Sequence, residues 1–215
     1  MAGGHGGSLN PAAWPGAAGR AVVRLVDLIL ERVYRLFYFS DAPDCVLRLS
    51  WVRARAAHAF ADGTVVRRGD RVANIHLWNE RLPRMPRGGP DLAWGRTMHA
   101  RLRHSLRLLA AYAEDEPTFA GVEAFWGEMA FAVADADDAM PRLLAGLGFE
   151  VTPTAYGDGL WGRCHESLAC FYAWLLMWLY NPASLKGKSL LGLRRHQLWL
   201  SRRTLRERYW EHASY

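Results

Sequence analysis

The chain has 215 residues, of which 51% are hydrophobic, so it is long enough for one domain with a core and terminal extensions. Its formal net charge is +6, almost all of it from arginine, since Lys186 and Lys188 are the only lysines. The cysteines are odd in number and form no Cys-x-x-Cys pair, which argues against a disulfide framework or a structural zinc site: Cys45, Cys164 and Cys170. A reducing, cytoplasmic compartment is therefore expected.

The basic balance favours an anionic partner, such as nucleic acid, an acidic membrane surface or a phosphorylated substrate. The alternative explanation of the charge is a GC-rich genome, which favours Arg codons together with those of Ala and Gly. The ten tryptophans indicate either a Trp-rich core or an interface with protein, ligand or lipid. No P-loop, dinucleotide-binding fingerprint, HExxH motif or nucleophile elbow occurs, and no cofactor or metal is expected.

The Gly-, Ala- and Pro-rich stretch 1–19 lacks the charged start and apolar centre of a signal peptide and predicts a disordered tail. A single domain over 20–215 is expected to follow. Residues 20–37 predict an amphipathic helix, with charged residues on one face and valine and leucine on the other. An apolar face of this width suits a protein core or a bilayer surface equally.

Three strands are predicted next, in a small antiparallel meander. They are indicated by the alternation in "CVLRLSWVRA", by the turn signals around the valines of "ADGTVVRRGD", and by "RVANIHLWN". Side chains alternate between the faces of a strand, so His76 shares the more polar face with Asn74 and Trp78. An imidazole there suits a general base, a ligand contact or a structural hydrogen bond to a loop carbonyl.

His76 is the best candidate for a catalytic residue, because imidazole titrates near neutral pH. Polar and aromatic residues around it in the sequence are expected to contact a polar ligand: Asp70, Trp78, Asn79, Glu80 and Arg84.

A helix is predicted from an N-cap at Asp91 to about Ala113. Apart from a buried apolar stripe it carries arginine and histidine, with no acid between Leu92 and Tyr112. These groups repel one another unless an anion or an acidic surface faces them. The helix is therefore either a solvated basic surface or an anion-facing one. In the second case, the anion-facing or lipid-facing residues are Arg96, Arg103 and Arg107.

A further strand is predicted in "GVEAFWGEMAFAVA", followed by a helix, a glycine stop and a return strand in "DADDAMPRLLAGLGFEVTP". Three carboxylates, Asp135, Asp137 and Asp138, lie near the start of this helix, with Glu128 upstream. They suit either helix capping or a hard cation. Capping is preferred, because no calcium-loop spacing matches.

Residues 167–180 are uncharged and rich in aromatic side chains, but fall short of the about 20 residues that span a bilayer. They predict a buried core helix or an interfacial one. In the interfacial case Trp174 and Trp178 face lipid, with Lys186 and Lys188 just downstream. The stretch "HQLWLSRRTLRERYWEHASY" then predicts a strand and a helix capped by Ser201.

Several stretches resemble the YkoP-like domain family of bacteria. The strand pattern D-x-x-x-x-IHLxN is matched by Asp70, Ile75, His76, Leu77 and Asn79. The helix pattern LxxSRxxLxxRY is matched by Leu198, Ser201, Arg202, Leu205, Arg208 and Tyr209. "VYRLFYF" and "VLRLSWVRARAAHAFADGTVVRRGD" resemble the family's N-terminal helix and strand pair, so the resemblance covers most of residues 30 to 210.

The resemblance implies that the protein is associated with envelope polysaccharide and lipid enzymes, such as polysaccharide deacetylases and glycosyltransferases. It does not imply a mechanism. The sequence predicts an α+β or α/β single domain, with a small, mainly antiparallel sheet packed by several helices. The expected protein is cytoplasmic and peripheral on the inner membrane, is linked to envelope lipid or polysaccharide metabolism, and binds an anionic lipid or glycolipid. The alternative is a transferase or hydrolase acting on an acyl or glycosyl lipid, with His76 as general base. Nucleic-acid binding is not expected, because no recognised motif accompanies the charge.

Overall fold

The computed structural model describes residues 16–132, 139–154 and 160–210. The strands within these ranges are β1 (Leu47–Arg53), β2 (His58–Ala59), β3 (Val65–Val66), β4 (Arg71–Leu77), β5 (Ala124–Ala132), β6 (Glu150–Pro153) and β7 (Leu193–Ser201). The α-helices are α1 (Ala17–Val33), α2 (Leu92–Asp115), α3 (Ala139–Gly146), α4 (Leu160–Tyr180) and α5 (Arg202–Leu205). Residues 17–19 of the predicted tail are thus helical, and the rest of that tail before Gly16 lies outside the described residues.

Five strands form a mixed sheet in the order β1-β4-β5-β7-β6, and β2 pairs with β3 in a separate two-stranded sheet. Strands β4 and β5 are parallel, and the other three pairings of the large sheet are antiparallel. Helices and strands in this arrangement are an α+β fold, one of the two classes that the sequence left open.

The predicted three-strand meander is wrong. Strand β1 pairs directly with β4, and Leu49 lies opposite Ile75. The β2–β3 hairpin is an excursion between these two strands. Its base is closed by backbone hydrogen bonds from Ala54 to Asp70 (2.9 Å) and from Gly69 to Ala54 (2.8 Å). Because these bonds bring the chain straight back beside β1, the short valine strand is left to pair only within the hairpin.

One face of the sheet packs against α2 and is called the α2 face here. Residues that are opposite each other on neighbouring strands share a face, so the register places alternate apolar residues together on this side. The buried side chains from the sheet and from α2 include Leu47, Leu49, Ala73, Phe125, Leu198, Leu200, Met98, Leu102, Leu106 and Leu109. This cluster is the main core.

The opposite face, called the α1/α4 face, is more polar. Its buried residues on β1 and β4 include Arg48, Ser50 and Asn74. The β2–β3 hairpin covers one end of it through Phe60 and Val66, which pack in a cluster with Trp199, Val72 and Ala124. Helices α1 and α4 cover the other end in a second cluster: Val23, Cys170, Trp174, Trp178, Leu179, Leu185 and Leu193.

Both predicted helix caps are confirmed. The Asp91 carboxylate accepts a hydrogen bond from the backbone N–H of Trp94 at 2.7 Å, which satisfies a donor at the start of α2. The Ser201 hydroxyl accepts one from the backbone N–H of Thr204 at 2.9 Å at the start of α5.

Helices α1 and α3 end in the same left-handed turn. After α3 the turn residue is Gly148, with φ 97°, and the N–H of Phe149 donates to the carbonyl of Leu144 at 3.0 Å. After α1 the turn residue is Arg35, with φ 51°, and the N–H of Leu36 donates to the carbonyl of Glu31 at 3.0 Å. Glycine is the usual residue at such a position, because it has no Cβ to clash.

Candidate functional site

Helix α1 turns the side that carries its two acids, Asp27 and Glu31, toward the protein and a row of aliphatic side chains toward solvent. Its buried residues are Val23 and Asp27. Large apolar side chains at helical spacing lie exposed on the other side: Val22, Leu25, Val26, Ile29 and Val33. The exposed fraction reaches 61% at Val22 and 66% at Val33. The predicted apolar face is thus divided: Val23 packs in the core, whereas the side chains from Val22 to Val33 named above face solvent.

A polar cluster holds the side of α1 with Asp27 and Glu31 against the α1/α4 face of the sheet. The Tyr172 and Tyr180 phenols of α4 donate to the two carboxylate oxygens of Asp27, at 2.6 and 3.0 Å. The Glu31 carboxylate forms an ion pair with Arg48 of β1, whose side chain is only 4% exposed. Polar groups buried in this way are stabilising only when they are paired, so α1 is tied in this orientation.

The phenols in this cluster remain hydrogen-bond donors across the neutral pH range. Burial, together with the Asp27 carboxylate, raises the pKa of Tyr172. Burial also raises the pKa of Tyr180, and its hydrogen bond to Glu80 adds to the effect. Loss of the proton would place a negatively charged phenolate beside these carboxylates. This repulsion explains why both pKa values are raised.

Three acids of the cluster, Asp27, Glu31 and Glu80, have carboxylate oxygens within 4.8 Å of one another, close enough for one cation. However, both oxygens of Asp27 already accept from tyrosines, and Arg48 neutralises Glu31. The arrangement is explained by these contacts, and no metal is assigned to it.

His76 lies on the same face, in a cross-strand contact with Ser50. Its Nε2 atom is 2.9 Å from the Ser50 hydroxyl, and Ser50 is completely buried. Burial and the Arg48 guanidinium lower the pKa of His76 to about 4. The imidazole is thus neutral and weakly basic near pH 7, and the hydroxyl beside it is closed to a substrate. A role for His76 as general base stays a prediction. The observed geometry is that of a structural hydrogen bond between His76 and Ser50.

The residues predicted to form a ligand site with His76 do not all lie together. Asp70 accepts a hydrogen bond from the N–H of Arg67 at 2.7 Å, in the turn before β4. At about 3.3 Å per strand residue, it lies roughly 20 Å from His76. Arg84 is exposed in the loop before α2.

The other predicted ligand residues follow β4 directly. The ring of Trp78 contacts the ring of Tyr38, with centroids 4.4 Å apart, and the guanidinium of Arg81, 3.5 Å from the Trp78 centroid. Asn79 and Glu80 begin the short 3-10 helix Asn79–Arg81. Oε1 of Glu80 is 2.9 Å from the Tyr180 hydroxyl, which shares its one proton between Glu80 and Asp27, and this contact joins the segment to the polar cluster under α1.

The expectation that Trp174 and Trp178 face lipid is wrong. They are only 2% and 5% exposed, and they pack with Val23 of α1 and Leu193 of β7. Helix α4 packs against both α1 and β7, so these two tryptophans form core. Of the basic residues expected to accompany them, Lys186 is exposed and Lys188 is partly buried.

The basic residues Arg96, Arg103 and Arg107 of α2 are exposed, which leaves both proposals for that helix open. They lie on the α2 face of the sheet, whereas α1 and α4 cover the opposite face. One flat bilayer therefore cannot meet α2 and α1 together. The predicted carboxylates Asp135, Asp137 and Asp138 lie outside the described residues.

The amphipathic pattern of the first helix is visible in the sequence, but the direction in which its two faces point is not. The usable signal was the wide aliphatic face of residues 22–33 together with two acids, Asp27 and Glu31, about one turn apart on the opposite face. The partners that make this acidic face the inner one, Arg48, Tyr172 and Tyr180, are far away in the sequence.

The chain is thus an α+β protein with an amphipathic helix that presents its apolar face to solvent. A family model described as the YkoP domain matches residues 18–209. The chain belongs to the YkoP domain family, which confirms the resemblance found in its strand and helix motifs. Searches of curated proteins and of solved structures found no match. No helix among the described residues is long and apolar enough to cross a membrane.

Proposed function

We propose that this protein is a peripheral membrane protein that docks on an anionic lipid surface through the exposed face of α1. The observation that supports the proposal is the row of aliphatic side chains on that face, with Ile29 near its centre and 49% exposed. An amphipathic helix of this kind lies in the plane of a bilayer interface with its apolar side inserted. Contiguous exposed apolar surface of this kind marks an interaction site.

The charges around this face favour lipid over a second copy of the chain. Arg24 and Arg32 of α1 and Arg35 after it are exposed. The acids of α1 are not available to balance them, since Asp27 is buried and Glu31 is paired with Arg48. A twofold dimer through α1 would bring the same arginines of both copies together. Anionic headgroups would neutralise them instead, at about 1 kcal/mol for each arginine near the surface.

Two half-exposed tyrosines lie at the end of α1, and their rings are 6.4 Å from His76 and 4.4 Å from Trp78 between centroids. Tyr34 is 55% exposed and Tyr38 is 47% exposed. Tyrosine favours the headgroup level, where its ring lies in an apolar layer and its hydroxyl meets water. The aliphatic side chains would each contribute about 1 kcal/mol as their exposed half leaves water. With the arginines, this supports reversible surface binding.

The family context supports a role in envelope lipid or polysaccharide metabolism for such a protein. A surface-docked companion of lipid-linked enzymes would work at the cytoplasmic side of the inner membrane. In this proposal the previously expected residues Arg96, Arg103, Arg107, Trp174 and Trp178 are not part of the lipid contact.

Vesicle co-sedimentation tests the proposal. The protein should sediment with anionic vesicles, bind neutral ones weakly, and lose binding as salt is raised. Ile29→Glu places a charge at the centre of the face and should reduce binding at least about tenfold. Leu92→Glu is the matched control, because Leu92 is 70% exposed at the start of α2, on the other side of the sheet. Equal binding by Ile29→Glu and the wild type, or an equal loss in Leu92→Glu, would contradict docking through α1.

A further inference from the structure

We propose that exposed arginines of α2 and of the helical turn Arg206–Trp210, which follows α5, form a docking surface for an acidic segment of a partner protein. The surface is called the arginine surface here and consists of Arg103, Arg107 and Arg208. It lies on the side of the sheet opposite α1 and α4. The inference therefore goes beyond the lipid docking proposed for α1 and does not depend on it.

The three arginines come from two helical segments and surround one buried side chain. Arg103 and Arg107 are four residues apart on α2, so they lie on the same side of that helix. Tyr209 is buried in the main core, and its hydroxyl donates to the carbonyl of Leu147 at 2.9 Å. Burial raises the pKa of Tyr209, and the positive charges of Arg208, Arg103 and Arg107 oppose this rise, so all three lie near the phenol. Three positive charges are thus concentrated in a small exposed area.

The charge of the arginine surface is not balanced within the protein. Among the residues that the structure describes, no carboxylate forms an ion pair with any of the three arginines. Arg208 donates to the carbonyl of Gly146 at 2.9 Å, which positions the guanidinium but leaves its charge in place. By contrast, Arg101 of the same helix is paired with Asp44 at 3.2 Å. Like charges one turn apart destabilise a helix, and carboxylates of a partner would relieve this repulsion.

A second lipid contact is not favoured at the arginine surface. Leu92, the first residue of α2, is the only large apolar side chain exposed on this helix, so no apolar row accompanies the arginines into a bilayer. When α1 meets a bilayer, the arginine surface points away from it. The width of α2 alone, about 10–12 Å with side chains, exceeds the Debye length of about 8 Å at physiological ionic strength. Headgroups beneath α1 therefore cannot neutralise these arginines.

Nucleic acid is not favoured either, because α2 is flanked on both sides. Arg101 donates to the carbonyl of Arg81 at 2.7 Å on one side, and Tyr209 packs on the other. A helix enclosed in this way does not enter a major groove about 12 Å wide and 8.5 Å deep. The aromatic residues of α2, Trp94 and Tyr112, are partly buried against the core and offer no exposed ring for stacking on bases.

The shape of the surface suits an extended acidic segment. Arginine binds carboxylates by paired hydrogen bonds, and arginine clusters are a common means of recognising acidic motifs. Arg96 is also exposed and lies eleven residues before Arg107, so the arginines extend over about 16 Å of the helix. They lie on the outer side of helices, where a single small anion would keep most of its contact with water. A segment with several carboxylates can contact all of them at once.

The test uses a fluorescent peptide of repeating glutamate–alanine pairs, with glutamine–alanine as the neutral reference. The wild type should bind the glutamate peptide at least about tenfold more tightly than the reference, with an affinity that falls as salt is raised. Arg103→Gln/Arg107→Gln should weaken this binding by about tenfold. Arg67→Gln/Arg68→Gln is the matched control, because it removes the same charge from two exposed arginines in the turn before β4. It should change the affinity by less than about twofold.

No preference of the wild type for the glutamate peptide, or an equal loss in the two double variants, would overturn the inference. So would an oligonucleotide of the same net charge that binds more tightly than the peptide and loses binding in Arg103→Gln/Arg107→Gln.

Anionic vesicles separate this inference from the docking through α1. Arg103→Gln/Arg107→Gln should sediment with them as the control double variant does, and a clearly larger loss would assign the arginine surface to lipid and overturn the inference. Ile29→Glu should bind the glutamate peptide as the wild type does. If the wild type does not bind vesicles but binds the peptide as expected, the docking through α1 fails and the arginine surface is supported.

Discussion

The phenol of Tyr172 donates to Oδ1 of Asp27 at 2.6 Å, across 145 residues of sequence. This contact joins α4 to α1 and fixes which side of α1 faces the protein. Because Asp27 is 3% exposed and accepts from a second tyrosine as well, the inward side of the helix is polar. The outward side is consequently the aliphatic one. The surface proposed to meet lipid is thus exposed because the Tyr172–Asp27 hydrogen bond holds the opposite side of α1 against the protein.

Asp27→Asn should loosen α1 while leaving the sheet and α2 intact. An asparagine side chain has one carbonyl oxygen, so it cannot accept from Tyr172 and Tyr180 in the way that the carboxylate does. A buried donor left without its partner costs about 1–3 kcal/mol. We expect faster amide hydrogen exchange throughout Ala17–Val33, with unchanged protection in β5 and β7.

Asp41→Asn is the control for the loss of a negative charge, since Asp41 is exposed. Unchanged exchange in the α1 amides of Asp27→Asn would show that Val23 and the Glu31–Arg48 pair hold the helix without the tyrosines.

His76 should make the protein less stable in mild acid. Its pKa is lowered from 6.5 to about 4 in the folded chain by burial and by Arg48, so the unfolded chain binds the proton first. Stability from the neutral imidazole is complete above pH 6.5 and is lost as the pH falls toward 4. At about 1.4 kcal/mol for each pKa unit, the loss is on the order of 3 kcal/mol.

Urea unfolding of the wild type and of His76→Gln at several pH values between 4 and 7.5 measures this contribution. Glutamine keeps a polar group near the Ser50 hydroxyl but does not titrate, so its profile should be flatter in this window. Parallel profiles for the two proteins would assign the acid sensitivity to other groups.

Substitutions of Trp174 should change stability and not lipid binding. The side chain is 2% exposed, and truncation of a buried aromatic residue to alanine costs about 3–5 kcal/mol. Trp174→Phe keeps most of the apolar volume and should remain folded, with a lower melting temperature and wild-type binding to anionic vesicles. If Trp174→Phe lost vesicle binding at an unchanged melting temperature, the result would indicate that α4 contacts lipid directly.

The two glycines at the end of α3 should respond to alanine in opposite directions. Gly148 has φ 97°, and a Cβ built there lies 2.9 Å from the Thr204 side chain, so Gly148→Ala should cost more than about 1 kcal/mol. Gly146 is helical and a Cβ there has no neighbour within 4 Å. Gly146→Ala should therefore be neutral or stabilising by up to about 1 kcal/mol, because alanine favours the helix. Equal effects of both changes on urea unfolding would contradict the left-handed turn at 148.

Much of the secondary structure was predictable from local patterns. Alternation in "VLRLSW" and "RVANIHL" predicted β1 and β4, and the capping residues Asp91 and Ser201 marked the starts of α2 and α5. The pairing of the strands was not predictable in this way. Whether β1 meets the hairpin or β4 depends on backbone hydrogen bonds at the hairpin base, which leave no residue pattern of their own.

The candidate site was predictable only in part. The sequence indicated a basic, amphipathic, aromatic-rich protein suited to a lipid surface, but it directed attention to Trp174 and Trp178. An aromatic run has the same composition in a core as at an interface, so only packing separates the two. For Trp174 and Trp178, contact with Val23 and Leu193 decided the matter.

The sequence by itself determined the family, the mixture of helices and strands, the caps at Asp91 and Ser201 and the amphipathic character of residues 20–37, because each depends on residues that are close together or on a motif of fixed spacing. Only the tertiary structure decided that the side of α1 with Asp27 and Glu31 is the inner one. The partners of this side come from β1 and α4. A periodic pattern in the sequence defines the two faces of a helix, but it does not state for which face the rest of the chain provides hydrogen-bond and ion-pair partners.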